Sequence, residues 1–375
     1  MPLLSVIIPT KNRYIYLKEC IKSLISVRLD NVEIVIQDNS DNNSEILPYM
    51  QEYSSPIIKY FYTDDKIGMS ENASRAIENS SGKYLIFIGD DDTVCSDICM
   101  LVRIMEEKQL DSCVFTLAKY YWPDNKYCDQ NLPNLQYSAT TGNVCMIDPI
   151  NELKKVVGSS YNGLCNMPKI YHGLVTRSAM EEVKRISGSY FPGPSPDMAN
   201  AVALSLVVKR HAYVDRMVFV SGYGGNSGGN RFRGISIDDK GKIPWLPADI
   251  AETWFERLPR VYTNQVIWAQ SAFEALKRMD ALEEYKKYIN YHKIYAHYLS
   301  YIPRFGDITK FHPGFVVIMK TLCLWLVFIV RRMKNLISRK VIRRMPSDVL
   351  CKFKVPSLCD AQQLIEGYNR NMVKW

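Results

Sequence analysis

The first third of the sequence alternates short apolar runs with amphipathic stretches, and this alternation limits the possible folds more than any other feature. β-Branched apolar runs begin about every 27 residues and predict strands at 4–8, 33–37, 57–61, 84–88 and 113–115. Helical periodicity predicts helices at 17–25, 69–79 and 97–108. Strands that alternate with helices in this way are typical of an α/β fold with a doubly wound, largely parallel, Rossmann-like sheet.

Polar clusters follow three of the predicted strands, at 9–13, 38–40 and 89–92. In doubly wound sheets, ligands bind beyond the carboxyl ends of the strands, so the three clusters are expected at one binding edge. Each cluster taken singly has a structural alternative. Thr10 or Asn12 is a possible helix N-cap, Asp38 a turn residue, and 89–92 a solvated acidic loop beside the next helix. Their shared edge favours a ligand site.

Three adjacent carboxylates, Asp90, Asp91 and Asp92, form the most charged cluster. Like charges this close either raise one another's pKa or bind a cation. Oxygen ligands suit a hard divalent ion, and Mg²⁺ takes few protein carboxylates, leaving its other positions to water and substrate phosphates. The triplet therefore predicts a Mg²⁺ or Mn²⁺ cofactor that holds a diphosphate.

Four segments in this order, 5–13, 33–40, 68–76 and 82–92, resemble the motifs of family 2 glycosyltransferases, which have the GT-A fold and invert the anomeric carbon. The resemblance covers about the first 115 residues. It implies that the acidic triplet is the metal-binding DXD motif, that residues after the first two strands line a nucleoside pocket, and that the 68–76 segment lies near the ribose or diphosphate. The residues expected to bind the donor are Pro9, Thr10, Asn12, Arg13, Asp38, Asn39, Asn72, Arg75 and Asp90.

Two positions depart from the family pattern. Gln37 precedes Asp38 where the family often has a second acid, so one contact on the base side is expected to differ. Gly89 stands where the family's first acid usually follows the aliphatic run. Which two of the three following acids bind the metal is therefore left open.

Asp197 is the candidate catalytic base. Sugar transfer requires a group that deprotonates the acceptor hydroxyl, and the Pro-rich segment 192–196 leads Asp197 to a predicted helix start. A purely structural N-cap role for Asp197 is the alternative, and one residue can serve both roles. His172 is a weaker candidate for the acceptor site.

Beyond residue 115 the rhythm is less regular, with a predicted helix at 197–208, a strand at 213–220 and further helices between 248 and 302. The Gly-rich run 222–229 is followed by Arg231 and Arg233. This loop is expected either to close over the diphosphate or to form an exposed connector.

The net positive charge of the chain, +8, is concentrated in one segment, because 315–345 holds eight Lys and Arg and no acid. This distribution excludes a dispersed basic surface for nucleic acid. Residues 315–330 are strongly apolar, but they are short for a membrane span and are interrupted by Lys320. The pattern predicts an in-plane or partly inserted helix on the inner membrane surface, with its basic continuation on anionic headgroups. A buried helix with a solvated basic face is the alternative.

The sequence predicts four parts: 1–115 as the nucleotide-sugar-binding half of a GT-A domain, 116–235 as the acceptor half, 236–312 as a helical extension, and 313–375 as an apolar and basic membrane-associating tail. The ten cysteines form no C-x-x-C pairs and the first residues lack a secretory pattern, so a cytoplasmic location is expected.

The predicted function is transfer of a sugar from a nucleotide-diphosphate donor to a saccharide or lipid-linked acceptor, with inversion, in bacterial surface polysaccharide or lipopolysaccharide assembly. A Q-x-x-R-W motif of processive members is absent from the sequence, which favours single additions. A sugar nucleotidyltransferase is one alternative, although 9–13 lacks the Gly-rich phosphate loop of that class. A catalytically silent nucleotide-sugar-binding protein attached to the membrane is the other.

Overall fold

The computed structural model describes residues 1–65, 67–125, 133–161, 163–225, 232–239, 241–247, 249–341, 349–352 and 354–372. In the segment 315–352, side chains are described up to residue 334 and again from residue 350.

One mixed sheet runs through the described part of the chain. Its strands are β1 (Leu4–Thr10), β2 (Val32–Asp38), β3 (Ile58–Tyr62), β4 (Tyr84–Phe87), β5 (Thr93–Val94), β6 (Ser112–Tyr121), β7 (Leu135–Ser138), β8 (Val144–Ile147), β9 (Gly173–Thr176), β10 (His211–Tyr223) and β11 (Val349–Lys352). The main order is β11-β7-β6-β9-β4-β1-β2-β3, and β10 pairs with β6, β5 and β8.

Most of the long strands run in one direction. β1 pairs in parallel with β2 and β4, and β2 pairs in parallel with β3. β9 is antiparallel to both β4 and β6, so β6 runs in the direction of β4, and β10 is parallel to β6. The predicted largely parallel α/β sheet is confirmed, and the antiparallel insertion of β9 is a feature that the sequence did not predict.

Helices cover both faces of this sheet. They are α1 (Tyr14–Ile25), α2 (Leu47–Glu52), α3 (Met69–Glu78), α4 (Asp97–Glu107), α5 (Pro149–Gly158), α6 (Arg177–Ser187), α7 (Pro196–Val207), α8 (Ile250–Thr253), α9 (Asn264–Arg278), α10 (Leu282–Tyr285), α11 (Tyr291–Tyr301), α12 (Gly306–Thr309), α13 (Phe315–Val341) and α14 (Leu358–Arg370). The helices predicted at 17–25, 69–79, 97–108 and 197–208 match α1, α3, α4 and α7.

Three apolar cores hold these layers together. The first lies between the sheet and α1, α4 and α14, and the second lies on the opposite face under α3 and α6. The third is formed mainly by α5, α9 and α11. α7 contributes Met198 and Val202 to the helical core and Leu204 to the core under α3, so it joins the extension to the sheet. Burial of these apolar side chains is the main favourable term for the fold.

The four predicted parts are more closely joined than their boundaries imply. The predicted boundary at 115 falls inside β6, and β9 and β10 from the second part pair with strands of the first. The last part, 313–375, does not act only as a tail, because β11 pairs with β7 and α14 packs into the first core.

α13 is a 27-residue helix that packs against α11 and leaves an apolar face in solvent. Its exposed apolar side chains are Phe315, Val316, Met319, Leu326, Val327, Val330 and Met333. Among the helices in the described residues, none is both long enough and apolar enough to cross a membrane.

Candidate active site

The carboxyl ends of β1 and β4 are joined by hydrogen bonds and ion pairs. Thr10 Oγ1 donates to Asp90 Oδ2 at 2.7 Å. Arg13 donates from one terminal nitrogen to Asp91 Oδ2 at 2.7 Å, and its other terminal nitrogen lies 3.2 Å from Asp90 Oδ1. Arg13 occupies the N-cap position of α1 and makes no side-chain cap. Capping by Thr10 or Asn12, the structural alternative, is therefore wrong.

The acidic turn, defined as Asp90, Asp91 and Asp92, is buried, with exposed fractions of 2%, 6% and 4%. A solvated acidic loop is therefore excluded. Backbone groups at the end of β10 and just after it hold the turn in place, because the Gly222 N–H donates to Asp92 Oδ1 at 2.7 Å and the Gly224 N–H donates to Asp91 Oδ2 at 3.1 Å.

Gly89 explains one departure from the family pattern. Its N–H donates to Asp92 Oδ2 at 2.8 Å, and an added Cβ would lie 2.7 Å from Asp91 Oδ1 and 3.0 Å from Asp92 Oδ2. Both carboxylates fold back over this position, so a side chain at residue 89 would displace them.

The acidic turn concentrates negative charge in a buried space. Burial raises the pKa of Asp90 and of Asp91, Arg13 opposes this shift, and repulsion from the neighbouring carboxylates adds to it. Asp90 Oδ1 accepts no hydrogen bond from the described residues, although Arg13 lies beside it. His172 Nε2 lies 3.5 Å from Asp92 Oδ2, which places this weaker candidate at the centre of the site.

The fit of this turn to a metal ion is partial. Among the described residues, no group of three or more His, Cys, Asp or Glu side chains is arranged to hold a metal ion. One or two carboxylates suffice for Mg²⁺ when substrate phosphates complete its shell. The buried Asp90 oxygen without a hydrogen bond is an atom on which a cation fits.

Asp38 lies fully buried at the end of β2, and its carboxylate is already engaged. Tyr14 and Tyr60 hydroxyls each donate to Oδ2 at 2.7 Å, and the Ser40 N–H donates to Oδ1 at 2.8 Å. Neither tyrosine was singled out from the sequence, since tyrosines at these positions read equally well as core residues. The predicted contact between Asp38 and the donor stays a prediction.

The neighbouring polar residues hold the ends of β1 and β2 together. Asn12 adopts a left-handed backbone with φ of 56°, which Asn tolerates, and its side chain pairs with the Asp41 backbone and carboxylate at 3.0 and 2.9 Å. The half-buried Pro9 pairs in register with Gln37, and Asn39 donates to the Ile67 carbonyl at 3.3 Å.

Gln37, the other departure from the family pattern, joins the sheet to α3. It is buried, donates to Thr63 Oγ1 at 3.3 Å and accepts from Asn79 Nδ2 at 2.7 Å. An acid here would lose the donating half of this bridge.

α3 supplies the remaining predicted donor residues. Asn72 donates to the Gln37 carbonyl at 3.3 Å, and its buried Oδ1 accepts no hydrogen bond from the described residues. Arg75 is about one-third exposed and pairs with Glu71 at 2.9 Å and Asp65 at 3.2 Å. Asn72 therefore offers an acceptor at the sheet edge, whereas Arg75 is engaged at the surface.

Asp197 lies in the first turn of α7 and is the one residue between 191 and 205 that is not buried. Ser195, not Asp197, holds the N-cap position. Asp197 Oδ1 accepts from Ser195 Oγ at 2.5 Å and from the Met198 N–H at 2.8 Å. Among the described residues, no donor contacts Oδ2. A purely N-cap role is therefore wrong, and one oxygen remains available.

Asp197 and the acidic turn lie close to the same side chain. Burial raises the pKa of Tyr171, and the carboxylates of Asp197, Asp92 and Asp90 raise it further. Tyr171 packs edge-on against Phe87 at the end of β4, with ring centroids 5.2 Å apart. The structure therefore brings the candidate base towards the acidic turn, although the two are far apart in sequence.

The loop after β10 is described only in part. Residues 226–231, with the predicted phosphate contact Arg231 among them, lie outside the described residues. The guanidinium of Arg233 lies 4.4 Å from the centre of the Tyr301 ring. Closure of this loop over a diphosphate stays a prediction.

A cavity of about 700 Å³ adjoins the ends of β1 and β2. Lys11 and Asp41 line one side, the amino end of α3 with Met69 lines another, and Trp245 from the extension closes it. Trp245 packs edge-on against Tyr262 at 5.6 Å. The extension therefore forms a wall beside the predicted donor site, a feature without a local sequence signal.

The comparison with protein families agrees with this geometry. Residues 5–149 match the model described as glycosyl transferase family 2. This segment is a family 2 glycosyltransferase domain. It contains β1 to β8, and with them the acidic turn and every residue predicted to bind the donor.

Characterised relatives match only a part of this chain. The chain is 34% identical over 99 residues to the GalNAc(5)-diNAcBac-PP-undecaprenol beta-1,3-glucosyltransferase of Campylobacter jejuni, which is 26% of this chain and 32% of that protein. It is 24% identical over 156 residues to glycosyltransferase GlyA of Streptococcus pneumoniae, covering 41% of this chain and 22% of that protein. The chain thus spans about a third or less of the length of these relatives.

Among solved structures, TarS 1-349 of S. aureus in complex with UDP-GlcNAc is similar at 13% identity and a TM-score of 0.48, covering 95% of this chain and 98% of that one.

Proposed function

We propose that this protein transfers a sugar from a nucleoside-diphosphate donor to a saccharide or lipid-linked acceptor, with inversion at the anomeric carbon. The observation that carries the proposal is the buried acidic turn at the end of β4, inside the family 2 domain and tied to Thr10 and Arg13. Among the described residues, Arg13 supplies the one guanidinium paired with these three buried carboxylates, which is unfavourable unless a further cation or ligand compensates the charge.

The donor's nucleoside fits the cavity at the ends of β1 and β2. Its apolar walls, Met69 and Trp245, suit a planar base, and Asn39 at the end of β2 donates to the carbonyl of Ile67 in the cavity wall. In this arrangement Asp38 orders the strand end through Tyr14 and Tyr60.

The diphosphate belongs at the acidic turn, where Mg²⁺ or Mn²⁺ would be held by carboxylates of Asp90, Asp91 and Asp92 together with phosphate oxygens. Asp90 Oδ1 is buried, is paired in charge with Arg13 and accepts no hydrogen bond from the described residues, which supports Asp90 as one of these ligands. When bound, the cation supplies charge neutralisation for the departing diphosphate. Arg13, already at the turn, is positioned to pair with a phosphate oxygen.

Asp197 is the proposed base. Its Oδ2 accepts the proton of the acceptor hydroxyl while that oxygen bonds to the anomeric carbon, and the bond from this carbon to the donor's diphosphate breaks. The products are the glycosylated acceptor, protonated Asp197 and the free nucleoside diphosphate. Ser195 and the Met198 N–H fix Oδ1, so Oδ2 has a defined direction. A single displacement of this kind inverts the anomeric carbon.

A lipid-linked acceptor at the inner membrane surface is supported by α13 and by the name of the Campylobacter relative, which includes a PP-undecaprenol acceptor. Besides its exposed apolar face, α13 carries Lys320, Arg331 and Lys334 as exposed cations, and its sequence contains no acid. An in-plane helix of this kind buries its apolar side chains among acyl chains and leaves its basic groups at anionic headgroups.

The proposal is tested by incubating the purified protein with nucleotide sugars, Mg²⁺ or Mn²⁺ and a lipid extract containing saccharide acceptors, and measuring nucleoside diphosphate release. Asp91→Asn is expected to weaken metal-dependent donor binding. Asp197→Asn is expected to keep donor binding and to lower turnover about 10²- to 10⁴-fold, because proton transfer is lost. Asp30→Asn, at an exposed carboxylate before β2, is the matched control and is expected to leave donor binding and turnover unchanged.

Release from no donor overturns the transferase proposal. Pyrophosphate release from a nucleoside triphosphate and a sugar phosphate instead identifies a sugar nucleotidyltransferase. Donor binding without any release identifies a silent binding protein. Unchanged turnover in Asp197→Asn removes Asp197 as the base.

A further inference from the structure

The last described helix, α14, packs against the strand that follows the acidic turn. Gln362 is fully buried, and its Nε2 donates to Thr93 Oγ1 at 3.1 Å and to the Val94 carbonyl at 2.6 Å. Its Oε1 accepts from Ser26 Oγ at 3.2 Å. The amide is satisfied at both ends, and Thr93 directly follows Asp92.

Two further side chains of α14 extend this contact. Glu366 accepts from the Ser96 N–H at 2.5 Å and from the Ser96 hydroxyl at 2.7 Å, and so caps the start of α4 from outside. Asn369 donates to the Met217 carbonyl of β10 at 2.7 Å. α14 therefore binds both the segment after the acidic turn and the strand beside it.

Those two segments meet at the acidic turn. β5 pairs with β10 through Thr93 and Val220, and β10 continues to Gly222, whose N–H holds Asp92. One segment carries the carboxylates and the other carries their backbone donors. Because α14 contacts both β5 and β10, it fixes the separation between the carboxylates and their backbone donors.

We propose that Gln362 is a positioning residue for the acidic turn, and that α14 sets the geometry in which the turn receives the donor's diphosphate. This inference rests on the proposed function for its effect on catalysis. It does not rest on it for the local structure, since the hydrogen bonds of Gln362 reach Thr93, Val94 and Ser26. Gln362 touches neither donor nor acceptor in this scheme and acts on the acidic turn through β5.

The test compares Gln362→Met, which keeps the side-chain length but removes both donors, with Gln363→Met. Gln363 is the exposed neighbour on the same helix and serves as the matched control. Amide hydrogen exchange is measured in the full chain without ligand, well below the unfolding midpoint. Gln362→Met is expected to speed exchange about tenfold in peptides covering 89–96 and 217–224, and to leave 32–38 unchanged, because only the braced segments loosen.

The second measurement is donor affinity and turnover of the same variants. Gln362→Met is expected to raise the KM for the nucleotide sugar about tenfold at temperatures where it is fully folded, since small misplacements at a site are costly. Glu366→Gln, a milder change on the same helix, is expected to raise this KM by a smaller factor. A variant that exchanges faster everywhere, or that loses only thermal stability while its KM is unchanged, overturns the inference.

Failure of the proposed function and failure of the positioning inference give different experimental results. If the unmodified protein uses no nucleotide sugar, the proposed function fails, and hydrogen exchange alone then decides whether α14 positions the acidic turn. If the unmodified protein is active and Gln362→Met matches Gln363→Met in exchange and KM, only the positioning inference fails.

Discussion

Gly222 is a position at which the acidic turn leaves no space for a side chain. An added Cβ would lie 1.7 Å from the Asp91 carbonyl oxygen and 2.8 Å from the Trp122 indole nitrogen. The Trp122 indole itself donates to that carbonyl at 3.1 Å. The close approach of β10 to the turn therefore depends on glycine.

Gly222→Ala is expected to push β10 away from the turn and to lower the free energy of unfolding by roughly 1–3 kcal/mol, as overpacking does. It is also expected to weaken donor binding, because the N–H that holds Asp92 moves. Denaturant unfolding and calorimetric titration with a nucleotide sugar measure the two effects. Gly306→Ala is the control, since an added Cβ there meets nothing within 4 Å. Normal donor binding in Gly222→Ala contradicts this account.

At the residue scale, the polar clusters after the first and fourth predicted strands could be placed together from the sequence, because parallel strands end at one edge of a sheet. Thr10, Arg13 and the acidic turn meet as that rule requires. The contacts of Gly222 were not predictable, since a backbone N–H has no residue-specific signal. The burial of Asp38 beneath Tyr14 and Tyr60 was equally hidden, because it depends on packing between distant segments.

At the scale of elements, Glu33 joins β2 to its neighbours. It is buried, and it accepts from Ser5 Oγ at 2.6 Å, Lys59 Nζ at 2.6 Å and the Ser81 N–H at 2.5 Å. Burial by itself raises the pKa of Glu33, but the hydrogen bonds from Lys59, Ser5 and Ser81 lower it by more, to about 2. One carboxylate thus ties β1, β3 and the turn before β4.

Because the pKa of Glu33 is lowered in the folded protein, the free energy of unfolding depends on pH. The contribution of Glu33 is fully present above its unfolded pKa of 4.5 and is lost as the pH falls towards 2. It amounts to roughly 3 kcal/mol. Urea unfolding between pH 6 and pH 2 is expected to show a steeper loss for the unmodified protein than for Glu33→Gln. Glu45→Gln, in an exposed pair with Lys18, is the control and should follow the unmodified protein. Parallel curves for Glu33→Gln and the unmodified protein contradict the assignment.

Some elements are specified by their local sequence, and others depend on contacts with distant parts of the chain. β1 to β4, α1, α3 and α4 were predictable because each has its own hydrophobic period. β9 was not, since Gly173–Thr176 is short and its place between β4 and β6 is set by pairing. α14 has an ordinary amphipathic pattern, and its packing into the first core depends on contacts with residues more than 250 positions away.

At the scale of the whole molecule, charge and apolar exposure coincide on α13. The residues outside 315–345 sum to no net charge, so the net positive charge of the sequence belongs to this one segment. Leu326 and Val330 are 55% and 63% exposed on one face, and Trp325 on another face packs against Phe305. Over its described side chains, up to residue 334, the helix packs against the protein on one side and leaves the other side in solvent.

Replacing Leu326 and Val330 by serine is expected to weaken binding to phosphatidylglycerol vesicles roughly tenfold, because two apolar side chains no longer leave water. Raised salt is expected to weaken the binding of the unmodified protein as well, through screening of the basic residues. Vesicle sedimentation measures both. Ile186→Ser, at an exposed apolar residue on α6, is the control. Equal sedimentation of all variants removes the membrane role of α13.

The return of α14 to the first core also has a consequence for how the protein is made. Leu358, Ala361 and Ile365 fill the same core as β1 and β2, yet they leave the ribosome after α13. Until α14 has been synthesised, the first core therefore has an uncovered apolar surface. Such a surface promotes aggregation and chaperone binding. Shortening the gene to remove α13 and everything after it would make that unfinished surface permanent.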